Sequence, residues 1–281
     1  MDYIKPTQLV NDVAHTGAYK SNLKISDILI KGVLSGAFLG LATTLAFTAA
    51  IETNLSIVGA FVFPVGFVLI LLLGLELVTG NFAMLPLARL RGLTSNIQVI
   101  YNFFWAFLGN LVGSLLYGFL FYIVATKLGH INEGAMIDKM IAVAEGKTLA
   151  YKSLGGDGLI IVITKAILCN WMVTLGAFMA FVSSSTIGKI AAMWLPVFLF
   201  FAHGFEHAVV NMFVIPTAIL MGANLTFSDW WMWNQIPVTI GNFIGGFIFT
   251  ALALHLVNKN KFAKTENVIV QYPTALKDKE N

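Results

Sequence analysis

The fold of this chain is decided by the stretch GLELVTGNFAMLP at residues 74–86. A second stretch, GFEHAVVNMFVIP at residues 204–216, carries the same Gly, Glu, Asn and Pro in register, at an offset of 130 (204 − 74). A shorter pair repeats at an offset of 132 (241 − 109), namely GNLVG at 109–113 and GNFIG at 241–245. Two matches in the same order indicate that the chain consists of two homologous halves.

The composition is that of a membrane protein. Of the 281 residues, 58% are hydrophobic and 11% are charged, whereas soluble domains carry about 25% charged residues. Too few charges are present to cover a water-exposed surface, so the bilayer is the expected solvent. The small net charge of +3 argues against nucleic-acid binding. The single cysteine, Cys169, excludes a disulfide framework and a cysteine metal cluster.

Six hydrophobic segments are each long enough for the ~20 residues that cross a bilayer as a helix. They are 28–51, 56–78, 99–126, 159–183, 190–221 and 236–257. Three segments fall in each half, and because three is odd the second half must run through the membrane in the opposite sense. The sequence therefore predicts an all-α membrane protein with six transmembrane helices arranged as an inverted 3+3 repeat.

The basic residues predict the orientation. Lys and Arg occur in the N-terminal arm, in the second and fourth loops and in the C-terminal tail, whereas the first and fifth loops have none. The positive-inside rule then places both termini in the cytoplasm, and the charge-balanced third loop does not overturn this. We expect a cytoplasmic arm (1–27), a channel domain (28–258) and a cytoplasmic tail (259–281). Pro6 and the apolar residues after it predict a short helix in the arm, either a surface anchor or a gate.

The shared motifs predict that the second and fifth helices are broken near the membrane midplane. Glycine, ionisable residues and asparagine are unfavourable in the interior of an apolar helix. A half-helix that starts there directs unpaired N–H groups at the site, and two such ends facing each other suit an anion. We expect the two glutamates to cap these N–H groups and the asparagines to bond the broken backbone. The helix-break residues are Gly74, Glu76, Asn81, Gly204 and Glu206.

His207 is the residue best suited to chemistry, because it is a titratable group beside the second break. Burial favours its neutral form and a nearby anion favours its protonated form. The alternative is a core histidine satisfied by a neighbouring group. Thr79 can donate a hydroxyl to a passing ion, and Asn211 follows His207 by one helical turn. His203 lacks the further ligands that a metal needs, and we expect no metal, cofactor or catalytic set.

At these residues the chain resembles the formate/nitrite transporter family. The resemblance rests on residues 74–81 and 204–212, on LCNW at 168–171 and on IPVTIGN at 236–242. It implies an aquaporin-like fold, a homopentamer with one pore in each protomer, and conduction of formate, nitrite or hydrosulfide, with acetate or lactate in some members. By motif, His207 is the central histidine, Thr79 the loop threonine and Leu77 the loop constriction. The resemblance further suggests Phe63, Phe67 and Phe200 for the outer constriction and Lys152 for the lysine that attracts the anion.

The sequence thus favours a non-enzymatic transporter of weak-acid anions in the plasma membrane, either channel-like or proton-coupled. An apolar constriction disfavours the bare charge, so the anion tends to take a proton from His207 or water and cross as a neutral acid. The alternatives are a hydrosulfide or short-chain carboxylate channel, a channel for water or glycerol, and a membrane enzyme using His203, Glu206 and His207. The expected partners are small anions, protons and lipid.

Overall fold

The computed structural model describes residues 2–258, and this part of the chain folds into helices. Its β pairing is a single bridge between Tyr3 and Ser183. The expected C-terminal tail, 259–281, lies outside the described residues. In chain order the helices are α1 (Pro6–Ser21), α2 (Ile25–Thr53), α3 (Ser56–Leu72), α4 (Val78–Leu90), α5 (Asn96–Thr126), α6 (Ala135–Gly146), α7 (Leu149–Ser153), α8 (Gly156–Met179), α9 (Thr186–Ala202), α10 (Ala208–Leu220) and α11 (Phe227–Asn258).

Four helices of the described part, α2, α5, α8 and α11, are long and apolar enough to cross a membrane. α11 carries two π-helical stretches, Trp231–Gln235 and Gly245–Leu252. Of the other two predicted segments, 190–221 is divided between α9 and α10, whereas 56–78 contains α3 and ends at the first residue of α4. The chain therefore has the long apolar helices of a multi-pass membrane protein, and two further apolar segments that are interrupted.

Both interruptions have the same local geometry. Gly74 and Gly204 have φ angles of +62° and +61°, a left-handed conformation that ends a helix at low cost because glycine has no Cβ. The N–H group of the next residue closes the helix end by donating to the carbonyl five residues back, from Leu75 to Ile70 and from Phe205 to Phe200. The predicted segment 56–78 therefore includes the break, since α3 ends at Leu72, but it misses α4, which continues from Val78 to Leu90.

The short repeat that contains Gly109 and Gly241 has a packing role. A Cβ atom on Gly109 would lie 3.0 Å from the Cα atom of Gly32, so α5 and α2 cross in backbone contact. A Cβ atom on Gly241 would meet the side chain of Ala166 and the carbonyl of Ile163, so α11 lies equally close to α8. Small residues at such crossings are typical of helices that associate in membranes. This contact brings the asparagine after each glycine up to a helix break.

The arm before α2 is held against the helices. α1 packs on α4 and buries Leu9, Val10, Val13 and Ala14. Ahead of it, the N–H group of Ile4 donates to the carbonyl of Val182 at 2.9 Å. The expected helix is present and starts at Pro6, but its apolar face is buried in protein.

Candidate functional site

The two helix breaks meet at Thr79 and His207. The Oγ1 atom of Thr79 lies 2.9 Å from Nε2 of His207, and both residues are buried. The other ring nitrogen, Nδ1, accepts the N–H group of Val210 at 3.2 Å. An accepting Nδ1 carries no proton, so a neutral ring has its proton on Nε2 and donates it to Thr79. The threonine hydroxyl hydrogen is then left to donate elsewhere.

Two asparagines on neighbouring helices, which we call the asparagine braces, hydrogen-bond the backbone on both sides of each break. Oδ1 of Asn110 accepts the first N–H group of α4, from Val78, and Oδ1 of Asn242 accepts the first N–H group of α10, from Ala208, each at 2.9 Å. The amide of Asn110 also donates to the carbonyl of Glu76 at 2.8 Å, and that of Asn242 to the carbonyl of Glu206 at 2.9 Å. Each asparagine therefore ties both sides of one break to a neighbouring helix.

The expectation that Glu76 and Glu206 cap backbone N–H groups is wrong. Oε1 of Glu76 accepts from Lys20 at 2.7 Å, and Oε2 accepts from the amide of Asn81 at 2.7 Å. A second amide, on Asn102, donates to Oε2 at 3.2 Å. A buried carboxylate needs a cation and further donors to remain charged, and these side chains supply both.

Glu206 has a matching set of partners. Oε2 accepts from Lys147 at 2.8 Å, from the amide of Asn211 at 2.8 Å and from that of Asn234 at 3.3 Å. Oε1 accepts from the hydroxyl of Tyr151 at 2.7 Å. Asn81 and Asn211 thus bond the two carboxylates, whereas the sequence predicted that they bond the broken backbone.

The two lysines were missed by the sequence reasoning, although a signal was present. Lys20 precedes Glu76 by 56 residues (76 − 20), and Lys147 precedes Glu206 by 59 (206 − 147). The repeat therefore extends to a lysine in each half, at nearly equal spacing. Only a comparison of the arm with the third loop would have revealed it, because neither stretch is apolar.

Lys152 is not where the resemblance led us to expect it. Its Nζ atom donates to Oδ1 of Asp229 at 2.7 Å, and half of its side chain is exposed. Tyr151, its neighbour on α7, turns to Glu206 instead, because adjacent residues of a helix point in different directions. The lysine beside His207 is Lys147, and the choice of Lys152 is corrected accordingly.

Two cavities, each of about 250 Å³, lie at the two breaks. The first, which we call the Lys147 cavity, is lined by Lys147, Phe200 and His207 among others. The second, the Lys20 cavity, is lined by Lys20, Gly74 and Leu75 among others. Each cavity thus combines a lysine with residues of a helix break.

The predicted constriction residues divide into two groups. Phe200 lines the Lys147 cavity, and its ring stacks on that of His207 with centroids 5.7 Å apart. Leu77, Phe63 and Phe67 are buried and line neither cavity. Phe63 lies behind Phe200, with ring centroids 5.6 Å apart in an edge-to-face arrangement.

The remaining histidine near the break is not part of the cluster. His203 is exposed, stacks on Phe205 and bonds the carbonyl of Leu199 at 2.8 Å. Among residues 2–258, no group of three or more His, Cys, Asp or Glu side chains is arranged to hold a metal ion.

Comparison with known proteins places the chain in a family. The family model described as formate/nitrite transporter matches residues 7–256. The formate channel BtFdhC of Bacillus thuringiensis is 35% identical over 90% of this chain and 95% of its own. The uncharacterized transporter YrhG of Bacillus subtilis is 34% identical over 93% and 96%.

Solved structures of similar fold agree with this family assignment. An FNT family ion channel superposes with a TM-score of 0.75 at 25% identity, over 89% of this chain and 99% of its own. A pentameric formate channel with formate bound gives a TM-score of 0.66 at 24% identity, over 85% and 97%, and supports the fold. The chain is therefore a multi-pass membrane transport protein that belongs to the formate/nitrite transporter family.

Proposed function

We propose that this protein conducts small monovalent weak-acid anions, with formate or nitrite as the main substrates, through a pore in each protomer. One observation carries the proposal: the buried Thr79–His207 pair joins two helix breaks, and the cavity at each break contains a lysine. The family assignment and a formate channel at 35% identity support it. Hydrosulfide and short-chain carboxylates are the alternative substrates, because they share the charge, the small size and the weak acidity.

We further propose the architecture that the sequence predicted. The two interrupted helices, with matching glycine turns and asparagine braces, support an inverted 3+3 repeat of aquaporin-like type. Residues 1–27 and 259–281 are the cytoplasmic arm and tail, residues 28–258 form the channel in the plasma membrane, and Lys147 faces outwards. A homopentamer is supported by the likeness to a solved pentameric formate channel.

In the proposed mechanism the anion enters the Lys147 cavity, where the ammonium group raises its local concentration. The aromatic wall at Phe200 replaces water, which makes the bare charge costly and the anion a stronger base. The anion beside His207 favours the protonated ring, which takes its second proton from the solution in the cavity. The imidazolium then gives a proton from Nε2 to the carboxylate or nitrite oxygen, which leaves the neutral acid and a neutral ring. The outer constriction of Phe63, Phe67 and Phe200 is passed before this step. Thr79 then donates a hydrogen bond from its hydroxyl to the acid, which passes the loop constriction at Leu77.

On the far side the acid reaches the Lys20 cavity, where water is available and the acid releases its proton. One proton and one anion therefore cross together, so the net charge moved is zero. A pH gradient would drive such flux, and without a gradient the anion's own concentration difference would set its direction.

The test is uptake of formate, nitrite, hydrosulfide and chloride into proteoliposomes, with and without an inside-alkaline pH gradient. We expect the three weak acids to enter faster than chloride, and their uptake to rise with the gradient. Protein-free liposomes give the background, because neutral acids also cross lipid unaided. Equal uptake of all four anions, or rapid osmotic swelling without anion uptake, would contradict the proposal.

A further inference from the structure

The two buried carboxylates differ in how their lysine is held. At Glu76, Lys20 has Oε1 to itself, while the two asparagine amides share Oε2. Lys20 also donates to the carbonyl of Leu75 at 3.2 Å. Two of the three ammonium N–H groups of Lys20 therefore have protein acceptors.

At Glu206 a tyrosine takes the place that the lysine has at Glu76. Tyr151 donates to Oε1, and Lys147 is left to share Oε2 with the two amides. Tyr151 follows Lys147 by four residues, and the residue four after Lys20 is the exposed Lys24. The repeat therefore differs at this one partner, because Lys24 is exposed and does not bond Glu76, whereas Tyr151 bonds Glu206.

Because Tyr151 bonds Oε1 of Glu206, Lys147 keeps N–H donors that have no protein acceptor among the described residues. Among the described residues its Nζ atom has one acceptor, Oε2 of Glu206, and an ammonium group has three N–H donors. Burial, together with the charge of Glu206, raises the pKa of Tyr151, so the phenol keeps its proton and remains a donor. The phenol on Oε1 competes with Lys147 for that oxygen, so Lys147 bonds Oε2 alone, and its other N–H groups are available to the cavity that it lines with His207.

We propose that Tyr151 is a positioning residue that holds Oε1 of Glu206 and so leaves Lys147 free to bind the entering anion. The inference rests on the proposed function and assigns one step to this residue, the capture of a small monovalent anion in the Lys147 cavity. Without the hydroxyl, Lys147 bonds both oxygens of Glu206, as a cation does in a bidentate pair, and the anion competes for it less well.

The test compares Tyr151→Phe with wild type in right-side-out and inside-out membrane vesicles, using formate over a range of concentrations. We expect the half-saturating concentration to rise about three- to tenfold, which is the effect of losing one ordinary hydrogen bond. The rise should occur only from the side that Lys147 faces, with maximal flux per protein little changed. Tyr122→Phe is the matched control, because Tyr122 bonds neither carboxylate in the described structure.

The outcomes separate the two proposals. Wild type without saturable formate uptake would refute the proposed function. Saturable wild-type uptake with an unchanged Tyr151→Phe variant, or with an equal shift from both sides, would refute the role of Tyr151 alone.

A second pair of variants keeps the test decisive if Tyr151→Phe does not insert into membranes. Glu206→Gln removes the carboxylate for which the tyrosine and the lysine compete. The double variant, with both Tyr151→Phe and Glu206→Gln, should then have the same half-saturating concentration as Glu206→Gln alone. A further increase in the double variant would show that Tyr151 acts by another route and would overturn the inference.

Discussion

At the scale of single residues, the hydrogen bonds of His207 determine what its ring can do. Val210 occupies Nδ1 and Thr79 lies at Nε2, so a neutral ring has one proton, and that proton points at the threonine hydroxyl. An anion that displaces this contact meets an N–H donor at Nε2 and an O–H donor at Thr79. The pair therefore offers two donors to one small acceptor in a buried site.

We predict that His207→Phe abolishes proton-linked uptake. Phenylalanine fills the space beside Phe200 but has no proton to give, and a positioned acid of this kind contributes roughly a hundredfold or more. The measurement is formate uptake into proteoliposomes with an inside-alkaline gradient, normalised to inserted protein. His203→Phe is the control, because this exposed histidine lies on the other side of the break, four residues before His207, and hydrogen-bonds only the α9 backbone. Undiminished gradient-driven uptake in His207→Phe would defeat the proton-transfer step.

At the scale of helices, the asparagine braces hold the channel's two interrupted segments in shape. The side chain of Asn110 bonds the N–H group of Val78 and the carbonyls of Gly32 and Glu76, all in the interior. The three contacts join α2, α5 and the break before α4. Backbone groups of a break have no helical partners, so this side chain replaces the hydrogen bonds that the break removes.

We predict that Asn110→Ala lowers both stability and transport. It leaves two buried backbone groups of the break unpaired, the N–H group of Val78 and the carbonyl of Glu76, each costing about 1–3 kcal/mol. The loss should appear as a lower midpoint of thermal unfolding in detergent and as lower formate flux per inserted protein. Asn224→Ala, at an exposed position, should change neither. A variant with wild-type unfolding and flux would show that the break is held by other contacts.

The sequence alone predicted the helices and their breaks better than it predicted the side-chain contacts. The repeat located both breaks, because glycine in an apolar segment has a local cause that can be recognised without a structure. The partners of Glu76 could not be predicted in this way, since Lys20 and Asn102 come from distant helices. The choice of Lys152 over Lys147 failed for a similar reason: the spacing before α8 does not reveal which side of the short helix α7 faces the cavity. Tyr151 gave no signal, because only its bond to Glu206 distinguishes it from other loop tyrosines.

At the scale of the whole molecule, the two lysine–glutamate pairs place one lysine-lined cavity at each helix break. Both cavities have the same volume of about 250 Å³, but only the Lys147 cavity reaches His207. In the proposed inverted repeat these cavities are the two entrances, and the histidine and the tyrosine make them unequal. The two entrances should be accessible from opposite sides of the membrane.

We predict that single cysteines in the two cavities react with membrane-impermeant maleimide from opposite sides. The natural Cys169 is buried and is first replaced by alanine. Lys139→Cys, in the Lys147 cavity, should label in intact cells, because the proposed orientation places this cavity outside. Thr16→Cys, in the Lys20 cavity, should label only after the cells are opened. The Cys169→Ala parent gives the background. Labelling of both cysteines from outside would overturn the two-sided arrangement, and a swapped pattern would retain the inverted repeat but reverse its orientation.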